Sequence, residues 1–353
     1  WMTLACHRKT SLGMILGAKT RQKDTLLRLF SACIAISILT LLASCQRNAL
    51  PTHVNGIAQG SAFNITIYGL DDDSLTYRIG TWLSDYNQLA SAWDSQSTLS
   101  RLNAGDSVYV AQDFVELAQI SRMLHSLSNG YMSPTLNPLI EAWGFGSGLG
   151  YLNMSDSLAV QQLMRQVNDA RPWCPEKPGL WAWPEGMSLS FTSVAQGHSV
   201  DLISERLMAM GATAAIVEIG GEVRCFGRKP NGKDFKVGIE KPLEQKSKDL
   251  QEIIPLRDRA LATSGDYRNV KKDVVTGERY AHTIDAFTGW PARSNMLSAT
   301  LIGPTCAEAD GMATAAMAMG FDATVEWMSD HPLWDAYLIY VRDDGGLAIW
   351  SSY

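Results

Sequence analysis

The chain has 353 residues, with 30 lysines and arginines against 36 aspartates and glutamates, for a formal net charge of −6. The two signs are mixed along it with no basic stripe, which argues against nucleic acid as a partner, and the length is enough for one large or two interleaved core-forming units. Of the six cysteines, Cys6, Cys33 and Cys45 lie near the start, and Cys174, Cys225 and Cys306 are scattered without CxxC spacing; they offer neither a disulfide framework nor a zinc site and read as small buried apolar residues.

In chain order, Arg21, Lys23 and Arg28 precede the apolar run Leu29 to Leu42 and then Leu42-Ala43-Ser44-Cys45, the form of a secretory signal ending in a lipobox. Ser31, Ser37 and Thr40 interrupt the run, which is shorter than the ~20 residues of a spanning helix; a permanent transmembrane helix is the alternative. Residues 1–44 are therefore expected to be a precursor segment, with Cys45 the acylated first residue of the mature chain, 45–56 a polar linker, and 57–353 one compact α+β unit. Two acyl chains suffice for stable anchoring. The expected location is extracytoplasmic, on the periplasmic face of a bacterial membrane. Gln46, rather than an aspartate, after the cysteine leaves inner and outer membrane both open.

Asn64 to Tyr68 alternates like a strand; Leu75, Ile79, Trp82, Leu83, Tyr86 and Leu89 then recur at helical spacing. A second helix carries Phe114, Leu117, Leu124 and Leu127 and stops at Asn129-Gly130. Ser190 to Thr192 reads as the end of a short strand, followed by a helix with Val200, Ile203, Leu207 and Met210 on one face. Strands are expected at Ala215 to Ile219, Glu222 to Phe226, Phe235 to Glu240, Leu261 to Thr263 and Leu297 to Ile302. Thr305-Cys306-Ala307-Glu308 has capping-box form and opens a helix ended by Gly320; a short helix from Phe321 to Met328 and a hairpin of Ala336 to Val341 with Leu347 to Trp350 close the chain.

Four stretches carry candidate chemistry. Asp310 and Thr314 lie four apart at a helix start, so one face offers a carboxylate beside a hydroxyl; such oxygens suit Mg2+, and a helix N-terminus favours anionic phosphate. An aspartate there can equally be dipole compensation. His282, between Tyr280 and the turn-rich run to Pro291, is a candidate general base or phosphate donor, or a structural histidine bonded to a turn. Trp143-Gly144-Phe145-Gly146, after Pro134-Thr135, can present flat ring faces to a ligand or simply pack in the core. Ser193 to Asp201 joins a strand to a helix where backbone groups can meet phosphate or metal, and Gly220-Gly221 permits either close backbone approach or a turn of positive φ.

Taken in order, these pieces resemble the ApbE family, the FAD:protein FMN transferases, over essentially the whole mature chain. They are Ser100-Arg101-Leu102-Asn103, PT-x-x-PL-x-x-x-WGFG from Pro134 to Gly146, A-x-G-x-x-x-D from Ala195 to Asp201, IGG at Ile219 to Gly221, TSGDY at Thr263 to Tyr267, H-x-ID-x-x-TG-x-P from His282 to Pro291, and AD-x-x-AT from Ala309 to Thr314. The resemblance implies an ApbE-like, T-fold-related architecture of mixed, largely antiparallel sheets packed with helices. It implies Mg2+-dependent transfer of FMN from its substrate FAD to a threonine or serine hydroxyl of an exported acceptor flavoprotein, such as a subunit of a membrane redox complex, with release of AMP.

By the same resemblance Asp310 and Thr314, with Ser193 and Ala313, match metal-binding positions, and His282 and Asp310 are the catalytic pair. Gln59, Trp93, Trp143, Gly144, Phe145, Ser190, Gln196, Thr283 and Ile284 fall at or beside FAD-contacting positions. There are departures: Gln196 stands for the usual Lys or Glu, Ser190 and Ser133 for a common Asp, and Ala286 for a proline. An Mg2+-dependent FAD pyrophosphatase, with water as acceptor, and a non-catalytic flavin-binding lipoprotein are the competing expectations.

Overall fold

The computed structural model describes residues 50–148, 150–168, 173–240, 250–265, 270–273, 275–277 and 279–353. The expected precursor segment, Cys45, and Asp266 and Tyr267 of the TSGDY stretch lie outside the described residues. The strands are β1 (Thr52–Ala58), β2 (Ser61–Tyr68), β3 (Val108–Val110), β4 (Gly179–Trp181), β5 (Ala214–Ile219), β6 (Glu222–Gly227), β7 (Phe235–Glu240), β8 (Leu250–Leu256), β9 (Arg259–Gly265), β10 (Val270–Lys272), β11 (Arg279–Ala281), β12 (Met296–Gly303), β13 (Asp335–Val341) and β14 (Leu347–Ser351). The helices are α1 (Leu75–Ala90), α2 (Thr98–Asn103), α3 (Gln112–Leu127), α4 (Asn137–Ala142), α5 (Ser157–Val167), α6 (Ala195–Ala209), α7 (Cys306–Met319) and α8 (Phe321–Asp330).

One sheet organises them, in the order β1-β2-β5-β6-β9-β12-β13-β14, antiparallel at every pairing. Period-2 alternation sorts its side chains to two faces. In β5, Ala215, Val217 and Ile219 pack with Val200, Ile203 and Leu207 of α6, while Ala214 joins Phe235, Val237, Ile254 and Leu256 of the β7–β8 hairpin. Helices therefore cover one face and a two-stranded ribbon covers the other. The α+β expectation, with largely antiparallel sheets, matches this architecture.

Two expectations are corrected. The linker read through residue 56 ends earlier, because β1 pairs with β2 along its whole length through a turn at Gln59 and Gly60. Of its residues only Val54 is buried, so an edge strand looked polar enough for a linker. Ser190 to Thr192 forms no strand. The Ser190 N–H goes to the Pro134 carbonyl at 2.8 Å and its hydroxyl bonds that of Thr192 at 2.9 Å, so the segment leads into the turn before α6 instead of forming a rung in a ladder.

The contact of α6 with α7 positions the site. Both carboxylate oxygens of Asp201, on α6, accept backbone N–H groups from the first turn of α7: Cys306 at 2.9 Å and Ala307 at 2.8 Å. In return Asp310, on α7, accepts the Gly197 N–H in the first turn of α6 at 3.0 Å. Each helix thus satisfies orphan donors at the other's N-terminus. Thr305 caps α7 by accepting from the Glu308 N–H at 3.2 Å, as the capping-box reading expects. A β-carbon at Gly197 would stand 2.3 Å from the Cys306 carbonyl oxygen, so the close approach needs glycine there.

Gly197→Ala is therefore expected to destabilise the protein by about 3 kcal/mol, the scale of core overpacking. Gly80→Ala, in the middle of α1 where a β-carbon meets open space, should stabilise it by roughly 0.5–1 kcal/mol. Urea unfolding of the two variants measures both signs.

Candidate active site

Asp310 is a carboxylate on a helix whose other buried residues are cysteine, alanine, glycine and methionine. Burial, and next the charge of Glu222, push its pKa well above the ordinary carboxylate range, against the Gly197 hydrogen bond, which lowers it. Asp201 is raised by burial too, but the Arg224 guanidinium at 2.8 Å opposes the shift. One turn beyond Asp310, the Thr314 hydroxyl lies 3.3 Å from that of Ser264 at the end of β9. Next to it in β9, the Thr263 hydroxyl meets that of Thr300 across the sheet at 2.8 Å.

Because Asp201 and Thr305 occupy first-turn donors of α7, and Asp310 occupies Gly197 of α6, those N–H groups are not free for phosphate. The Asp201 and Asp310 carboxylates and the Thr305 hydroxyl already bond them.

Gln196 stands at the head of α6 beside a cleft of about 600 Å3, lined also by Gln59, Tyr86, Trp93, Asp94 and Thr192. The amide nitrogens of Gln59 and Gln196 are buried without a hydrogen-bond partner, while Gln59 Oε1 accepts from the Ser199 hydroxyl at 3.3 Å. Trp93 is 66% exposed, an aromatic face offered beside the cleft. Gly220 and Gly221 both have positive φ, +67° and +115°, and a β-carbon at Gly220 would lie 2.3 Å from Gln196 Nε2. Both readings of that pair therefore hold at Gly220: turn geometry and close approach.

A second group forms around the Trp143-Gly144-Phe145 turn. Trp143 is buried, its indole N–H donates to the Gly289 carbonyl at 2.9 Å, and Tyr280 and Trp290 pack against it. Of its two readings the structure supports core packing. Phe145 is only partly buried and its ring centroid lies 6.2 Å from that of His282. His282 enters a loop closed by Asp285, whose carboxylate accepts the Phe287 and Thr288 N–H groups at 2.8 and 3.2 Å. Thr283 and Ile284 are buried; the Thr283 carbonyl accepts from Ala292 and Ile284 bridges Pro291. Ser190 bonds the Pro134 carbonyl on one side and the cleft residue Thr192 on the other.

Of the remaining metal candidates, Ser193 lies in the turn before α6 and Ala313 on α7 with its methyl in the main core cluster, so Ala313 could offer only its backbone oxygen. Sequence reading passed over Glu222, whose charge acts on Asp310, and the capping role of Asp201. The signals were present: Asp201 ends the A-x-G-x-x-x-D motif and Glu222 follows the paired glycines.

Comparison with known proteins places these features in company. The sequence model of the ApbE family matches residues 59–338. The FAD:protein FMN transferase of Vibrio cholerae is 32% identical, the alignment covering 90% of this chain and 96% of that protein. The one from Haemophilus influenzae is 29% identical over 92% and 96%. Among solved structures, the flavin transferase ApbE from Vibrio cholerae superposes with a TM-score of 0.74 at 28% identity, covering 86% of this chain and 97% of that one. The apo flavinyl transferase ApbE of Pseudomonas stutzeri gives 0.71 at 26% identity over 86% and 95%.

Beside the cleft, the Tyr86 hydroxyl lies 3.0 Å from His198 Nδ1, and burial lowers the histidine pKa from 6.5 to about 4. A depressed folded-state pKa means that the unfolded chain binds the extra proton. The contribution is complete above pH 6.5 and is lost as pH falls toward 4, by about 3 kcal/mol. The stability difference between the parent and His198→Gln, from denaturant unfolding between pH 4 and 8, should shrink by that amount on the acid side. A pH-independent difference would mean that His198 is not held neutral.

Proposed function

Because the chain belongs to the ApbE family, we propose that it is an Mg2+-dependent FAD:protein FMN transferase, moving FMN from FAD to a threonine or serine hydroxyl of an exported acceptor flavoprotein and releasing AMP. The observation that carries this is the cleft. Two buried amide donors, Gln59 Nε2 and Gln196 Nε2, lack acceptors there, and leaving a buried donor unsatisfied costs roughly 1–3 kcal/mol. Beside them stand an exposed indole at Trp93 and, one residue past Gln196, the Gly197–Asp310 bond. A nucleotide with an aromatic ring and many oxygen acceptors fits that set.

Among the described residues no three His, Cys, Asp or Glu side chains are grouped to cage a metal. Magnesium does not need such a cage, since one or two carboxylates plus substrate phosphates and water suffice. Asp310 fits: it is a buried carboxylate whose charge is opposed by burial and by Glu222, and a cation relieves both. Gly197 takes Oδ2, leaving Oδ1 for the ion, with the Thr314 hydroxyl, Ser193 and the Ala313 carbonyl as further oxygen donors. Bound there, Mg2+ would neutralise charge on the pyrophosphate and on departing AMP.

The protein's own groups divide the remaining tasks. Trp93 stacks on an aromatic ring of FAD, and Gln59 and Gln196 donate to its acceptors; Gln196 does so without charge. The acceptor hydroxyl oxygen forms a bond to the FMN phosphorus as the bond from that phosphorus to the bridging oxygen breaks. AMP departs with that oxygen, and His282, beside Phe145, takes the hydroxyl proton. Cys45 anchors the mature chain to a bacterial membrane outside the cytoplasm, which favours membrane-associated redox proteins as acceptors. No helix among the described residues is long and apolar enough to cross a membrane.

Incubated with FAD, Mg2+ and an exported acceptor domain, the protein should add one FMN mass to the acceptor for each AMP released. Asp310→Asn should lower kcat by about 10²–10³, as for loss of a group that stabilises the transition state. Free FMN accumulating beside unmodified acceptor would establish the pyrophosphatase reading instead, and retention of FAD without AMP release would establish a flavin-binding protein.

A further inference from the structure

His282 is carried by a small ribbon. Among the described residues β10 and β11 pair only with each other, Lys271 opposite Tyr280, and His282 follows directly after β11. A two-stranded ribbon is marginal alone, so what docks it determines where His282 stands. Three contacts tie it to the stretch from Trp143 to Met154. Tyr280 packs against Trp143 and Phe145, with ring centroids 5.6 and 5.8 Å apart. Asp273, just past β10, accepts the Met154 N–H at 2.7 Å. Lys271 makes the third: its ammonium donates to the Gly144 carbonyl and lies 4.9 Å from the Phe145 ring centroid, within cation–π range. A β-carbon at Gly144 would come within 2.6 Å of that ammonium and 3.0 Å of Gly150, so the glycine leaves room for the clasp.

We infer that Lys271 is a positioning residue for the transfer reaction, clasping the His282 ribbon onto the Gly144–Phe145 turn so that the imidazole stays against the Phe145 ring. The geometry favours this over a solvated surface lysine, because one ammonium engages both a backbone carbonyl and the aromatic that neighbours His282. The inference rests on the transferase reading for its kinetic consequence, and on the contacts alone for its structural one.

Lys271→Met keeps the aliphatic stem and removes charge and hydrogen bonding; Lys271→Arg keeps both. In hydrogen exchange on the full chain, the amides of residues 279–283 should exchange roughly 10-fold faster in Lys271→Met than in the parent and return toward parent rates in Lys271→Arg. With FAD and acceptor, kcat should fall about 10-fold in the methionine variant while the FAD Kd stays within about threefold, and arginine should restore it. Unchanged exchange overturns the clasp, whether kcat is unchanged or FAD affinity falls in step with kcat/KM. Faster exchange with unchanged kcat overturns the positioning role. A parent that transfers no FMN defeats the functional reading, and the exchange comparison still decides the clasp.

Discussion

Two buried carboxylates, each bonded to the first turn of the other's helix, hold the helical layer at the site. Asp201 satisfies Cys306 and Ala307, and Asp310 satisfies Gly197. Buried carboxylates are costly unless their charge is matched. Asp201 is matched by Arg224, whereas the charge of Asp310 is favoured by a single backbone N–H against burial and Glu222. That asymmetry is why the cation-binding task is proposed for Asp310 and a structural one for Asp201.

The same contact fixes the rest of the cleft. Gly197 must be glycine for α6 to lie on the start of α7, and this sets the height of Gln196 one residue earlier. Gln196 in turn abuts Gly220 at the β5–β6 turn, which leads into Glu222 and so back to Asp310. Gln59 reaches the cleft from the β1–β2 turn, where it adopts φ of +53°. Residues from the sheet edge, a strand turn and two helix starts are brought to one place because two helices share their N-terminal donors.

Much of this is legible in the sequence where one period dominates. β2 and β5 alternate, β12 is a short run buried on both faces, and α1, α3 and α6 carry apolar stripes, so their expected positions agree with the fold. The α7 N-terminus is legible because Thr305 and Glu308 form a cap. β1 is not, since an edge strand with one buried side chain has no apolar alternation to show. The short pieces β3, β4, β10 and β11 have three residues each, too few for a period. At the site, the motif spacing points to Asp310, Thr314 and His282. That Trp143 packs inward while Phe145 faces His282, and that Asp201 occupies the donors of α7, depends on tertiary contacts 100 or so residues apart in the chain, which no local pattern encodes.

In the proposed function Asp310 is buried to receive a divalent cation together with a nucleotide pyrophosphate. The most direct measurement is anomalous diffraction from crystals of the protein grown with FAD and Mn2+ in place of Mg2+. A peak is expected about 2.1 Å from an Asp310 oxygen, within ligand distance of the Thr314 hydroxyl and of a pyrophosphate oxygen of FAD. Manganese bound away from Asp310, or FAD seated in the cleft with Asp310 still bonded only to Gly197, would contradict it.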